Sequence, residues 1–175
     1  MGTVLPAWRH LASAAMILIG LGANLPGPWG KPSAALACAL ARLDELGVRV
    51  RARSRDYESA PVPPSDQPWF VNAVAALDTT LDPASLLALL QRIETGGGRV
   101  RGAANAARSL DLDLLDYDGR ISAGPPVLPH PRMHERAFVL APLAEIAPQW
   151  RHPALGLGAR VLLDGLGGGL AARPL

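Results

Sequence analysis

Apolar and polar positions along the chain separate into stretches of two periods. "MILIG" (16–20) is a continuous apolar run closed by glycine, which predicts a buried strand. "KPSAALACALARLDELG" repeats at helical spacing. Leu36, Leu40 and Leu43 share one stripe, Ser33 is the expected N-cap and Gly47 the stop. "VRVRARSR" alternates strictly, with Val48, Val50 and Ala52 on one face and Arg49, Arg51 and Arg53 on the other, as in a half-buried strand. The proline-rich "SAPVPPSDQP" must be a loop. "WFVNAVAAL" then predicts a strand with Val71, Ala73, Ala75 and Leu77 on one side and Phe70, Asn72 and Val74 on the other. "DPASLLALLQRIE" is a helix capped by Asp82 with Pro83 in its first turn. "TGGGRVRGAANAA" is a flexible loop. "RSLDLDLLDYDGRI" reads as a strand, an Asp-Gly turn and a short return strand. A turn and short helix occupy "LPHPRMHERAFVLAPLAEIAP", and a weak helix with a frayed tail follows from about Leu155. Helices alternating with hairpin signals predict an α+β fold with a mixed or antiparallel sheet.

Composition narrows this picture. The chain has 175 residues, 49% of them hydrophobic and 18% charged, with formal net charge +2. That is a globular balance for one domain, without the basic field that nucleic-acid binding would demand. Lys31 is the sole lysine and Cys38 the sole cysteine. A single thiol excludes an internal disulfide and a cysteine-based zinc site, and suits a reducing cytoplasm. Cys38 itself reads as a small core residue. Residues 1–15 read as an extension ahead of the first strand, with Met16 an alternative start. The stretch "WRHLASAAMILIGLGANL" (8–25) also passes as a signal peptide.

Asp111 and Asp113 carry the chemistry. Alternation puts both on one strand face, roughly 6.5–7 Å apart at Cα, while Leu110, Leu112 and Leu114 anchor the other face. Two carboxylates so placed repel unless a cation joins them, and Mg²⁺ favours such oxygens together with phosphate and water. Arg99, Arg101 and Arg108 precede the pair, and His130, Arg132 and Arg136 follow it. The cluster suits a polyphosphate. No Walker motif is present, and "GLGANL" only half-matches a dinucleotide fingerprint, so its glycines are read as allowing a turn or close packing. Asp116 and Asp118 are assigned to the turn, solvated and outside the site.

Together "IGLGANL", "YESAP", "DQPWFVNAV", "QRIE…GRVR", "RSLDLDLL" and "LPHPRM…RAFVLAPLAEIAP" resemble 6-hydroxymethyl-7,8-dihydropterin pyrophosphokinase, from about Met16 to Pro153 and in the family's order. The resemblance implies a ferredoxin-like α+β fold, with a mainly antiparallel sheet and helices on both faces. It implies transfer of pyrophosphate from ATP to the pterin hydroxymethyl group, giving AMP, in folate biosynthesis. Two Mg²⁺ ions would be held by Asp111 and Asp113, with Arg99 and Arg108 on the phosphates. Gln91, Glu94, Arg101, His130 and Arg136 match positions of the ATP site. Ser59, Ala60, Val62, Phe70, Asn72 and Phe138 match the pterin site, the two phenylalanines stacking on its ring. The chain departs from the family at Ala104, at Asn105 (often Trp), at Pro131 (often Tyr) and at Phe70 (often Tyr), and its loop is one residue shorter. These changes bear on loop closure and nucleotide grip. The implied protein is a cytoplasmic monomer with no nucleic-acid or membrane partner. Two alternatives are a pterin- or ATP-binding relative without efficient transfer, and an RNA-binding domain using the Arg49, Arg51, Arg53 face.

Overall fold

The computed structural model describes residues 16–100, 102, 105–167 and 171–175. Its strands are β1 (Ile17–Ala23), β2 (Arg49–Arg53), β3 (Tyr57–Ser59), β4 (Phe70–Asp78), β5 (Asp111–Tyr117) and β6 (Ala172–Pro174). Its helices are α1 (Pro32–Glu45), α2 (Pro83–Gly96), α3 (Ala137–Ile146) and α4 (Ala159–Gly165), with one 3₁₀ turn at Met133–Glu135. The strands form one antiparallel sheet in the order β5-β1-β4-β3-β6, and β2 pairs with the far half of β4. This is the expected α+β arrangement.

Strand alternation divides the interior in two. Ile17, Ile19, Leu21, Ala73, Ala75, Leu112 and Leu114 pack beneath α1 and α2, whose Leu36, Leu40, Leu43, Leu86, Leu90 and Ile93 supply the helical stripes. Leu18, Val74, Ala76 and Leu115 face α3 and α4 on the other side. Burying a large aliphatic side chain contributes about 1.5–3 kcal/mol, so both faces are strongly determined. Asp82 caps α2 by accepting from the Ser85 amide at 3.0 Å, as its sequence predicts. Gly47 takes φ 82° directly after α1, the left-handed geometry that glycine reaches without steric cost.

Several expectations are corrected. Ser33 does not cap α1. Lys31 occupies that position without a side-chain bond, because the helix starts at Pro32, two residues earlier than a Ser33 cap requires. Cys38 is exposed, not core: it lies off the stripe of Ala35, Leu36, Ala39, Leu40 and Leu43. Asp118 and Gly119 make the expected turn, with φ of 54° and 67°. No return strand follows, only an isolated bridge between Ser122 and Leu128, since prolines 125, 126 and 129 have no N–H to donate. Asp116 is 2% exposed rather than solvated. It accepts from Trp150 Nε1 at 2.7 Å and from the Gly119 amide at 3.0 Å. The tail, expected to fray, returns at 172–174 to pair with β3. The arginine face of β2 is partly neutralised, by an Arg51–Asp78 pair and by Arg53 to Asp56 at 2.5 Å. The proposed extension, 1–15, lies outside the described residues, and no helix among those described is long and apolar enough to cross a membrane.

Candidate active site

Register builds the site. Gly22 on β1 sits opposite Asn72 of β4 on one side and Asp111 of β5 on the other, and Gly20 lies opposite Val74 and Asp113. Having no side chains, the two glycines leave a trough in the sheet between the amide and the carboxylates. A Cβ on Gly22 would come within 3.3 Å of Asn72 Oδ1 and 4.0 Å of Asp111 Cβ. Over this trough lies a cavity of about 260 Å³. One part is lined by Ser59, Ala60, Val62, Phe70, Asn72 and Phe138, the other by Arg108, Asp111, Asp113, Arg132 and Arg136. An apolar pocket carrying a few convergent polar groups is the usual form of a small-molecule site.

The apolar part rests on β3, β4 and α3. Asn72 is 5% exposed. Its Nδ2 donates to Ser59 Oγ at 2.9 Å and, at 3.5 Å, to the Tyr57 carbonyl. These bonds orient the amide so that Oδ1 sits above Gly22. Phe70 opens β4 and Phe138 lies in the first turn of α3, where the Arg136 guanidinium stands 5.6 Å from its ring centre.

The charged part is a network around β5. Arg108 Nη1 pairs with Asp111 Oδ2 at 2.7 Å. Arg99 Nη1 bonds Asp111 Oδ1 and reaches Glu94 Oε1 at 2.6 Å. Glu94, buried on α2, also accepts from the Leu112 amide at 2.7 Å. Asp113 is the less neutralised carboxylate, with Arg136 Nη1 at 3.7 Å and His130 Nε2 at 3.9 Å. Burial, reinforced by Asp111, pushes the Asp113 carboxyl up to about 6. Burial likewise raises Glu94 to about 7, against the pull of the Leu112 amide and Arg99. Burial would lower Arg99, but Asp111, Glu94 and Asp113 more than offset it and raise its pKa. Burial, then Arg136, holds His130 down at about 4, so the imidazole is neutral near pH 7. Its Nδ1 accepts from the Arg132 amide at 3.1 Å, which leaves the proton on Nε2, toward Asp113. Carboxylates lifted by burial and by one another mark a place that favours added positive charge.

Among the described residues no group of three or more His, Cys, Asp and Glu side chains could hold a metal ion. A pair of aspartates is nonetheless a sufficient protein share for Mg²⁺, which keeps several waters and binds through one or two carboxylates plus substrate phosphates. The residues therefore fit a magnesium–phosphate ligand, and not a closed protein cage.

Most of the residues expected from the sequence converge here. Gln91 does not line the main cavity. It is exposed on α2, at a shallow depression shared with Glu94 and Arg99. Arg101 and Ala104 lie outside the described residues. Asn105 has φ 60°, a left-handed conformation that asparagine tolerates better than most residues, and its carbonyl accepts from Gln67 Nε2 at 2.9 Å.

Sequence reasoning missed Gly20, Gly22, Asn24 and Gln67. Asn24, 3% exposed, joins three segments. Its Nδ2 donates to Gln67 Oε1 at 3.2 Å and to the Pro68 carbonyl at 3.0 Å, and its Oδ1 accepts from the Arg108 amide at 2.8 Å. The end of β1 thus ties the loop before β4 to the loop before β5. Alternating glycines inside an apolar strand were the signal for the trough; nothing local signalled the Asn24 junction.

A family model described as 7,8-dihydro-6-hydroxymethylpterin-pyrophosphokinase (HPPK) matches residues 18–148. A 2-amino-4-hydroxy-6-hydroxymethyldihydropteridine pyrophosphokinase of Methylorubrum extorquens is 47% identical over 132 residues, 74% of this chain and 81% of the relative. Its counterpart in Pseudomonas aeruginosa is 47% identical over 138 residues, 78% and 83%. Among solved structures, Plasmodium falciparum HPPK-DHPS overlays with a TM-score of 0.67 at 13% identity, over 90% of this chain. The chain spans 45% of that longer protein, and at such identity the likeness speaks for the fold alone. By the extent of the family match and by its identity with relatives it nearly spans, the chain belongs to the 7,8-dihydro-6-hydroxymethylpterin-pyrophosphokinase family.

Proposed function

We infer that this chain transfers pyrophosphate from ATP to the hydroxymethyl oxygen of 6-hydroxymethyl-7,8-dihydropterin, giving AMP and the pterin diphosphate, in folate biosynthesis. The observation that carries this reading is the row Asn72–Gly22–Asp111. It puts a heterocycle-reading amide and a phosphate-side carboxylate on one sheet face, with an empty strand position between them. A flat bicyclic ring calls for aromatic faces and an amide oxygen that accepts from the ring's N–H groups. Phe70, Phe138 and Asn72 supply these, with Ser59, Ala60 and Val62 along the ring edge. Arg99 and Arg108 bind the phosphates, with His130 and Arg136 beside them and Gln91, Glu94 and Arg101 completing the nucleotide side. The pterin hydroxyl oxygen attacks the β-phosphorus and gives up its proton to water, the new O–P bond forms as the bond to the α-phosphate oxygen breaks, and AMP leaves with those electrons. Direct transfer needs no covalent enzyme intermediate, so catalysis is alignment and charge stabilisation.

Asp111 and Asp113 would hold Mg²⁺, two ions in the full reading, which when bound supply charge neutralisation on the phosphate oxygens. Before substrate arrives, Arg99 and Arg108 neutralise Asp111; arrival of the phosphates offers those arginines new partners. We further propose that the protein acts as a cytoplasmic monomer.

The test is release of AMP from ATP in the presence of dihydropterin alcohol, with and without Mg²⁺. Asp111→Ala and Asp113→Ala should each lower turnover by at least about 10²–10³-fold while circular dichroism stays native. Near-normal turnover in either variant, or full turnover in a chelator, would sink the assignment.

A further inference from the structure

We propose that the C-terminal strand β6, acting through Arg173, is a positioning element of the pterin pocket; this rests on the pterin reading of the cavity given above. The family match ends at residue 148, so β6 lies beyond it. Yet Ala171 lines the cavity, and Ala172–Pro174 pairs along the whole of β3, Ser59 against Ala172 and Glu58 against Arg173.

The strand β3 needs that partner. It is three residues long, and without β6 it would be a short sheet edge, with one row of unpaired backbone groups and little of its own to hold it straight. Its first residue has an independent anchor, because Tyr57 Oη donates to Glu145 Oε2 of α3 at 2.7 Å. Its last residue, Ser59, does not share that anchor, and Ser59 Oγ is what orients the Asn72 amide.

Arg173 closes the gap from two sides. Its Nη2 pairs with Glu58 Oε1 at 2.7 Å. Its guanidinium lies 5.0 Å from the ring centre of Trp69, the residue just before Phe70. One planar cation thus joins β3, which carries Ser59, to the segment leading into β4, which carries Phe70 and Asn72. Trp69 is 49% exposed, an unusual place for tryptophan unless something covers its face. The ring sits outside the cavity lining, so the contact acts on the pocket through position rather than by touching substrate.

The test titrates the full-length chain and its variants with a non-hydrolysable ATP analogue and, with that analogue and Mg²⁺ saturating, with 6-hydroxymethyl-7,8-dihydropterin, alongside steady-state kinetics. Exposed cation–π contacts and surface ion pairs are individually weak. Arg173→Ala should accordingly raise the KM and Kd for dihydropterin about fivefold, with kcat and analogue affinity unchanged. Arg173→Lys, which can keep the pair to Glu58 but loses planar stacking, should recover part of the loss. Trp69→Leu should reproduce the remainder, and adding it to Arg173→Ala should bring no further stacking loss. Deleting residues 171–175 should weaken pterin binding more than Arg173→Ala does. Unchanged pterin affinity in both Arg173→Ala and the deletion would overturn the proposal while leaving the pocket reading intact. Equal weakening of pterin and analogue would also overturn it, as general loosening. If the unmodified chain binds the analogue but not dihydropterin, the pocket reading itself fails, and this inference with it.

Discussion

Replacing Gly22 with alanine separates stability from function. Gly22 has an ordinary strand backbone, since it is not among the residues of positive φ, so alanine meets no conformational barrier. Removing a strand glycine restricts the unfolded chain and stabilises by about 0.4–1 kcal/mol. Against this stands one tight contact, the new Cβ at 3.3 Å from Asn72 Oδ1. Oxygen and methyl carbon must part by a few tenths of an ångström, and Asn72 is the group that can yield. It is held by Ser59 Oγ at 2.9 Å, so yielding tilts the amide off its present bearing. A misplacement of 1 Å can cost about 10²-fold in rate; a few tenths scales to roughly 3–10-fold in kcat/KM for pterin. Overpacking of about 1 kcal/mol cancels the entropic gain, so the urea midpoint should move little. Gly20→Ala is the control on the same strand face. Its Cβ would meet only Leu115 Cδ2 and Cδ1, at 3.5 and 3.6 Å, which is ordinary contact. Gly20 also lines the cavity, but without a tight contact to Asn72 its alanine variant should lose less kcat/KM for pterin than Gly22→Ala and unfold slightly later. Unchanged pterin kinetics in folded Gly22→Ala would refute the assignment of the trough as the pocket floor.

Asn24→Ala should cost about 2–3 kcal/mol, because it leaves the Arg108 amide and the Pro68 carbonyl without their partner; equilibrium urea unfolding measures this, and a loss under about 0.5 kcal/mol would contradict the junction. The same variant should weaken both substrates, since it frees the loops on either side of the cavity. Stability should also fall on acidification because of His152. Burial, then the neighbouring His134, lowers its pKa from the ordinary 6.5, and its Nδ1 accepts from the Ala154 and Leu155 amides, each at 3.2 Å. The folded form therefore stays neutral while the unfolded chain takes up a proton. That penalty is absent above about pH 6.5 and grows from there down toward the lowered folded value. His152→Gln should flatten the dependence between pH 7.5 and 5.5, and an unaltered slope would assign it to other groups.

The sequence alone determined the longer elements and most of their side-chain orientations, but not β3, whose Ser59 was read into the proline loop, nor β6. The helical stripes of α1 and α2, the apolar alternation of β4 and the shared face of Asp111 and Asp113 follow from spacing along one segment, where the backbone's own period decides which side chains are neighbours. The two phenylalanines and Asn72 were legible as pocket residues through the family resemblance, not through any local pattern. Only tertiary structure decided what lies opposite each position. It put Gly22 between Asn72 and Asp111, brought Trp150 to the carboxylate of Asp116, made Asn24 the junction of two loops, and returned residues 172–174 to the edge of β3. Cys38 and Ser33 show the same boundary on a small scale: one helix position of rotation and two residues of start were enough to reverse their expected roles. Periodicity is a property of near neighbours in the chain, whereas burial and hydrogen-bond partnership depend on segments tens of residues apart, whose pairing is settled only when the whole sheet closes.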